Sequence, residues 1–464
     1  MKLILLSGGS GKRLWPLSND SRSKQFLHVL KNEQGELESM VQRVWKQLQS
    51  CGLNESTVIA TSKNQVDAIE NQLGTHVPLI IEPERRDTFP AIALAATYLY
   101  SVAGASLDTV VGILPVDPYV EGRFYKRVVQ LEQVLRATDA EIALIGVKPT
   151  YPSAKYGYIV PQKASTGVAD AAEGAITVSH FKEKPSEEVA AALINEEQAL
   201  WNCGVFAFKL EYIISLLEKE QLPLHYEELI KQYNRLPRNS FDYEVVEKAK
   251  RIVALSYDGD WKDLGTWNTL TEEMGTALIG RGVVSADSRN THLINELDIP
   301  VAVLGVSDAV VAVSPDGILV TDKEKSPAVK DIIAGLNQRP MYEERRWGSY
   351  KVLDYKKTAH GMEVLTRRIG MKSGKHIRYE QHLKRSAVWT IVEGEGELVL
   401  EGEIKRVVPG DTVQIPIAAK HGIKALSELE FVEVLTGREL VDESGVTIYD
   451  TWEEVEKYCH YVSN

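Results

Sequence analysis

The sequence predicts an α/β chain of more than one domain. A Rossmann-like domain on a mostly parallel sheet is followed by a short β-rich, β-helix-like connector and a C-terminal barrel. Three observations carry this reading. Short apolar strands alternate with helical patterns up to about Trp267, as a parallel sheet with crossover helices requires. From about Val283 to Val320 short strands follow one another with no long helix between them. From about Met341 the chain is again strand-rich, and its glycines and the Pro409-Gly410-Asp411 turn suit a compact antiparallel barrel. The expected domains are 1–275, 276–340 and 341–464.

Taken in order, Leu3 to Leu6 form a first buried strand, too short for a signal peptide or a membrane span. Leu37, Met40, Val41, Val44, Trp45 and Leu48 recur at helical spacing, and Gly52 stands where a left-handed cap would end that helix. Val58-Ile59-Ala60 make the next strand, and Val66, Ile69 and Leu73 share one side of a second helix. A third helix, AIALAATYLY, starts at Pro90 with Thr88 as its N-cap. TVVGILPVD is a buried strand running into Asp117, and EIALIGV is another. In the connector VVSAD, PVAVLGV, AVVAVS and GILVTD read as strands, closed by a helix in AVKDIIAGL. The barrel strands are YKVLDYK, MEVLTRRIG, AVWTIVEGEGELVLEG, DTVQIPIA and LEFVEVLTG.

The chain has 464 residues, enough for two or three domains. Its 65 acidic and 53 basic residues give a net charge of −12, which argues against nucleic acid or an anionic membrane as the main partner. Cys51, Cys203 and Cys459 are odd in number and far apart, so reduced thiols and a cytoplasmic location are expected.

The first strand runs into GGSGKRLWPLS, a glycine turn with basic residues, which presents backbone N–H groups and cations to phosphate oxygens. It is not a Walker loop, which needs glycine where Leu6 stands and Ser or Thr at Arg13. Nor is it the dinucleotide fingerprint, which needs glycine at Leu14. Together with SKQFL, the string resembles the opening of sugar-phosphate nucleotidyltransferases, and most of all the bacterial mannose-1-phosphate guanylyltransferases. EPERRDTFPAIALAA from Glu82, LPVD, GVKPTYPSAKYGYI, FKEKP, WNCGVF, FDYEVVEKA and DWKDLGTW follow in the family's order.

That resemblance implies attack of a sugar 1-phosphate on the α-phosphorus of a nucleoside triphosphate, giving a nucleotide sugar and pyrophosphate. GTP and mannose 1-phosphate are the implied substrates. Arg13 and Lys24 are the implied catalytic residues, with Lys12 less important than its neighbour. Ser7, Gly8, Gly9, Gly11, Glu82, Arg86 and Thr88 would bind the nucleotide. Gly157, Glu183, Lys184 and Asn202 would bind the sugar phosphate, and Asp117 and Asp263 would hold Mg²⁺. Taken singly, each also has a plainer reading: a tight corner, a surface ion pair, a strand-end cap. The sequence departs from the family pattern at Ser23, Asp87, Phe89, Pro118 and Lys155, of which Asp87 and Phe89 bear on base choice.

RRWGSYKVLD, GKHIRYEQHLKRSAVWTIVEGEG and PGDTVQIPIAAKH resemble the cupin domain that bifunctional enzymes join to the transferase, a mannose-6-phosphate isomerase. His382 and His421 fall at its two histidine places and Glu380 at its glutamine place, but Ala387 replaces its glutamate. Glu443, Ser444 and Thr447 stand where basic and paired acidic residues are usual. Glu380, His382 and His421 could still form a second metal set, yet lost isomerase activity and a structural or dimer-forming barrel are the expectation. The alternatives are another base or sugar, a bifunctional enzyme, or an inactive sugar-nucleotide sensor. A homo-oligomer, specifically a dimer, is expected.

Overall fold

The structure, a computed structural model, describes every residue except Ser10, Gly11, Asp20, 163–173, Asn337, Glu439, 441–444, Ser463 and Asn464. Two compact units are formed, one from residues 1–11, 23–66 and 73–275, the other from 12–22, 67–72 and 276–464.

The first unit is built on a nine-stranded sheet. Its order is 79–82, 57–62, 2–7, 110–115, 200–209, 142–147, 252–257, 175–182, 158–161. Strand Lys2–Ser7 lies parallel to both Thr57–Ser62 and Val110–Pro115, so Leu3, Ile4 and Leu5 are fully buried. Cover on both faces is why this run is apolar at successive positions and does not alternate. Strand Leu200–Lys209 enters antiparallel between Val110–Pro115 and Ile142–Val147. The sheet is therefore mixed: the N-terminal strands are parallel, and so are Ile142–Val147 and Ile252–Tyr257.

The helix Met40–Ser50 buries Met40, Val41, Val44, Trp45 and Leu48 and starts at a reciprocal cap between Ser39 and Gln42. Leu37, expected on this helix, lies instead in a short strand pairing with Leu30–Lys31, because Ser39 fixes the helix start two residues later. Gly52 takes a φ of 68° after the last turn, as a left-handed cap should. The third helix spans Thr88–Ser101, and its N-cap is Asp87, not Thr88: the Asp87 carboxylate accepts from Thr88 N at 2.8 Å. The Thr88 hydroxyl is used elsewhere, accepting from Phe241 N at 2.8 Å.

In the second unit, residues 278–280, 292–295 and 309–314 stack as parallel rungs. A second parallel pair is formed by 282–284 and 301–303. Asn295 is buried inside and donates to the carbonyls of Arg281 and Ile299, both at 2.7 Å, which satisfies backbone groups at a corner of the coil. Segment 12–22 packs within this unit. Ser314 Oγ donates to Pro16 O at 2.8 Å, and Arg22 reaches Glu296 at 2.9 Å. Gly317 has a φ of 153°, and a side chain there would meet the Trp15 ring at 2.5 Å.

Two six-stranded sheets form the barrel, closed over Leu365, Ile369, Trp389, Leu398, Ile423 and Phe431. Arg367 and Glu433 form a buried ion pair in its interior, with Trp389 Nε1 donating to Glu433 at 2.7 Å. Arg367→Met strands that carboxylate, so a loss of about 3–5 kcal/mol is expected. Denaturant titration of the barrel transition would show it; a change under about 1 kcal/mol would contradict it.

Candidate active site

Two cavities in the first unit gather most of the expected site residues. The first, of about 210 Å³, is lined by Asp117, Asp263, Gly157, Glu183, Lys184 and Asn202. Its geometry starts from strand ends. Asp117 lies just past Val110–Pro115, where open α/β sheets place their crevices. Pro118–Val120 then pairs antiparallel with Trp261–Asp263, which sets Asp263 opposite Pro118. Two aspartates 146 residues apart in sequence are thus brought together by a short ribbon (263 − 117). Pro118 opens its strand, a position that tolerates a missing N–H.

Lys24 bridges these carboxylates. Its Nζ is 2.8 Å from Asp117 Oδ2 and 3.3 Å from Asp263 Oδ1. Burial works to lower its pKa, but the two aspartates outweigh that and hold it above the ordinary lysine value. A cation therefore already stands where the carboxylates converge. Two exposed-edge carboxylates of this kind suit a hard divalent ion that takes its remaining ligands from phosphate oxygens and water, so the residues fit Mg²⁺.

Among the residues expected to bind the sugar phosphate, Glu183 is 6 % exposed, its Oε1 is 2.7 Å from Lys184 Nζ, and its Oε2 is buried without a hydrogen-bond partner. Lys184 takes a φ of 42°, a strained conformation for a long side chain, of the kind that collects at ligand sites. At Gly157 an added Cβ would sit 2.4 Å from Glu183 Oε2 and 2.6 Å from the Phe181 ring, so a side chain there would displace that carboxylate or that ring. Asn202 receives Gly204 N on Oδ1 at 3.1 Å and donates Nδ2 to Asp242 Oδ1 at 2.7 Å. Tyr156, Trp261 and Asp242 also line this cavity. Sequence reasoning did not assign them a role, although Asp242 lies in the FDYEVVEKA string.

The second cavity, about 380 Å³, is lined by Gly8, Gly9, Glu82, Arg86 and Thr88, with Arg85, Asp87 and Arg238. Gly9 has a φ of 152°, and its carbonyl accepts from Ser23 Oγ at 2.8 Å and Gln65 Nε2 at 3.2 Å. Ser23, a departure from the family pattern, thus pins the glycine turn. Glu82 is buried and accepts from Tyr233 OH on Oε2 at 2.8 Å. Burial pushes its carboxyl above the usual range, against the Tyr233 bond and Arg85. Arg86 lines the cavity but spends donors on Leu236 O at 3.2 and 3.1 Å and on Glu84 at 2.9 Å.

Other expected residues are not among those lining the two cavities. Ser7 is fully buried, its hydroxyl accepting from Gln25 Nε2 at 3.3 Å, and lines neither cavity. Gly11 lies outside the described residues. Arg13 is exposed on the short turn Lys12–Leu14 and belongs to the second unit.

Glu380, His382 and His421, the suggested second metal set, line one cavity of the barrel. His382 Nε2 is 3.0 Å from Glu380 Oε1 and 2.9 Å from an Arg385 amino group. That nitrogen is already engaged, in part by a cation. His421 Nδ1 is 2.9 Å from Ala419 O, and Ala387 supplies no ligand. Among the described residues no three His, Cys, Asp or Glu side chains are grouped to hold an ion. Glu443 and Ser444 lie outside the described residues.

Comparison with known proteins agrees with this layout. Residues 2–278 match the nucleotidyl transferase family. Residues 281–336 match the MannoseP isomerase/GMP-like beta-helix domain, and 337–450 the mannose-6-phosphate isomerase C-terminal domain. A mannose-1-phosphate guanylyltransferase of Klebsiella pneumoniae is 28% identical, over 97% of this chain and 98% of its own. The xanthan biosynthesis protein XanB of Xanthomonas campestris pv. campestris is 29% identical, over 97% and 98%. Among solved structures, a protein named mannose-1-phosphate geranyltransferase from Thermus thermophilus superposes with a TM-score of 0.58 at 28% identity. The match covers 72% of this chain and 98% of that protein. The chain belongs to the nucleotidyl transferase family. It is a transferase of sugar nucleotide biosynthesis, carrying a β-helix-like connector and a cupin-like barrel.

Proposed function

We propose that the enzyme makes GDP-mannose and pyrophosphate from GTP and mannose 1-phosphate with Mg²⁺. One observation carries the reading: a single cavity unites Asp117 and Asp263, bridged by Lys24, with Glu183, Lys184 and Asn202. A phosphate oxygen of mannose 1-phosphate forms the new bond to the α-phosphorus. The bond from that phosphorus to the bridging oxygen breaks, and pyrophosphate takes the electron pair. No covalent intermediate is needed, so catalysis is positioning and charge stabilisation. Mg²⁺, held by Asp117 and Asp263, would supply neutralisation of triphosphate oxygens. Lys24 offsets charge at the α-phosphate, Lys184 holds the sugar phosphate, and the amides of Gly8, Gly9 and Gly11 grip the triphosphate; Arg13 keeps the catalytic role that the family resemblance implies. Ser7 supports that turn from below.

Base choice rests on Glu82. Tyr233 occupies Oε2, whereas Oε1 faces the glycine turn, 3.7 Å from where a Gly8 side chain would be. A carboxylate suits guanine, whose amine and ring N–H both donate, better than adenine. Arg86 and Thr88 shape the same cavity. The relatives' names point the same way. A pyrophosphate-release assay over four NTPs and several sugar 1-phosphates, with and without Mg²⁺, tests the proposal. The expected result is preference for GTP with mannose 1-phosphate and no turnover in EDTA; preference for another pair would redirect it.

The proposal includes the three-part division 1–275, 276–340 and 341–464, a homodimer, and a cytoplasmic enzyme. Among the described residues no helix is long and apolar enough to cross a membrane. It also holds that the barrel has lost isomerase activity, given Ala387 and the engaged His382. No conversion of mannose 6-phosphate to fructose 6-phosphate is expected. Conversion abolished by His382→Ala would show the opposite.

A further inference from the structure

The cavity that holds Glu183, Asp117 and Asp263 contains a fourth carboxyl group, Asp242, with no role in the scheme above. Asp242 sits on the one-turn helix Phe241–Glu244, and that turn is fixed from three sides. Ser240 caps it, its hydroxyl accepting from Tyr243 N at 3.3 Å. Phe241 is fully buried, its ring 5.1 Å from Phe206 and 5.7 Å from Phe208 on the strand that also carries Asn202. Phe241 N is tied to Thr88 Oγ1. The neighbour of a buried anchor cannot drift, so Asp242 is presented rigidly to the cavity, as a recognition group needs to be.

We propose that Asp242 is a substrate-contacting residue of the sugar subsite, the second carboxyl group, beside Glu183, that holds a hydroxyl of the bound sugar 1-phosphate. The inference rests on the transferase reading for the identity of the ligand. Two observations carry it. Asn202 takes one carboxyl oxygen of Asp242, which leaves the other for a ligand within the same lining as Lys184 and Gly157. Glu183, nine-tenths buried, keeps Oε2 without a partner in that cavity. A carboxyl oxygen of Asp242 not taken by Asn202 and a buried, unpartnered oxygen of Glu183, next to Lys184, match a polyol phosphate: one cation for the ester, two acceptors for hydroxyls.

A purely structural role explains the arrangement poorly. Asparagine at position 242 would accept the Asn202 bond equally well without adding a charge next to Glu183. The carboxyl that is present is pushed up to about 7 by burial and by Glu183, against its own backbone N–H, Lys184 and Asn202. Near neutral pH it can therefore donate as an acid or accept as an anion. The charged groups sharing its cavity are Glu183, Lys184, Lys155, Asp117 and Asp263.

The test compares wild type, Asp242→Asn and Asp242→Ala by steady-state kinetics and by calorimetric titration with mannose 1-phosphate. For Asp242→Asn the expected result is at least a tenfold rise in KM and in Kd for mannose 1-phosphate, with KM for GTP changed less than twofold. The inflection near pH 7 in log KM for the sugar phosphate should also disappear. If Asp242→Asn matches wild type and only Asp242→Ala is impaired, Asp242 merely holds Asn202 and the proposal is overturned. A wild type that binds mannose 1-phosphate but never releases pyrophosphate defeats the transferase reading alone, since the titration still judges Asp242. A wild type that does not bind it at all overturns the contact proposed here.

Discussion

Replacing Asp117 with alanine is expected to lower kcat for nucleotidyl transfer by roughly 10³-fold while leaving mannose 1-phosphate binding within about twofold. The reason is the division of labour in the cavity. Asp117 and Asp263 are joined by the strand ribbon, whereas the sugar-side contacts are proposed for Glu183, Lys184 and Asn202. Removing one carboxylate takes away half of the protein's charge for a divalent ion and leaves Lys24 with Asp263 alone. Quenched-flow pyrophosphate release and calorimetric titration with mannose 1-phosphate check the two halves separately. Retention of more than about a tenth of wild-type kcat at saturating Mg²⁺ would remove Asp117 from the proposed metal role.

The second large effect is expected at Lys24, with opposite signs in two measurements. Lys24→Ala should lower kcat by about 10²- to 10³-fold, since one fixed cation no longer offsets charge at the α-phosphate. Without nucleotide, however, the variant should bind Mn²⁺ roughly tenfold more tightly than wild type, because the internal competitor for both carboxylates is gone. The ammonium is held charged above the ordinary lysine value, so this competition persists across the neutral range. Electron paramagnetic resonance of free Mn²⁺ gives the affinity directly. Equal affinity in both proteins would mean that the Lys24 bridge does not compete with a metal.

Much of the architecture was legible from pattern alone. The run Leu3 to Leu6 had to be a strand covered on both faces, and the shift to short strands after Val283 marked the connector. Helix starts were less legible. Ser39 and Asp87 compete with nearby residues for the cap, and which side chain wins depends on backbone angles such as the φ of 73° at Asp87. The mixed sheet was also hidden, because an antiparallel strand such as Leu200–Lys209 has the same buried apolar pattern as a parallel one.

Within the site, the motif strings named most of the residues that line the two cavities, since a glycine turn, FKEKP and DWKDLGTW carry chemistry in residue type. They did not reveal what those residues do to one another. Ser7 looked like part of the loop but faces the interior toward Gln25. Glu380, His382 and His421 had the right types for a metal, yet Arg385 stands against His382 Nε2.

By itself, then, the sequence determined the kinds of layers, their order along the chain and the stock of charged groups, because burial periodicity and side-chain chemistry are local properties. Only the tertiary structure decided that Lys24 lies between Asp117 and Asp263, and that Asp242 shares a cavity with Glu183. Those pairings join segments far apart in the chain through strand register and helix anchoring, and no local pattern encodes such a distance.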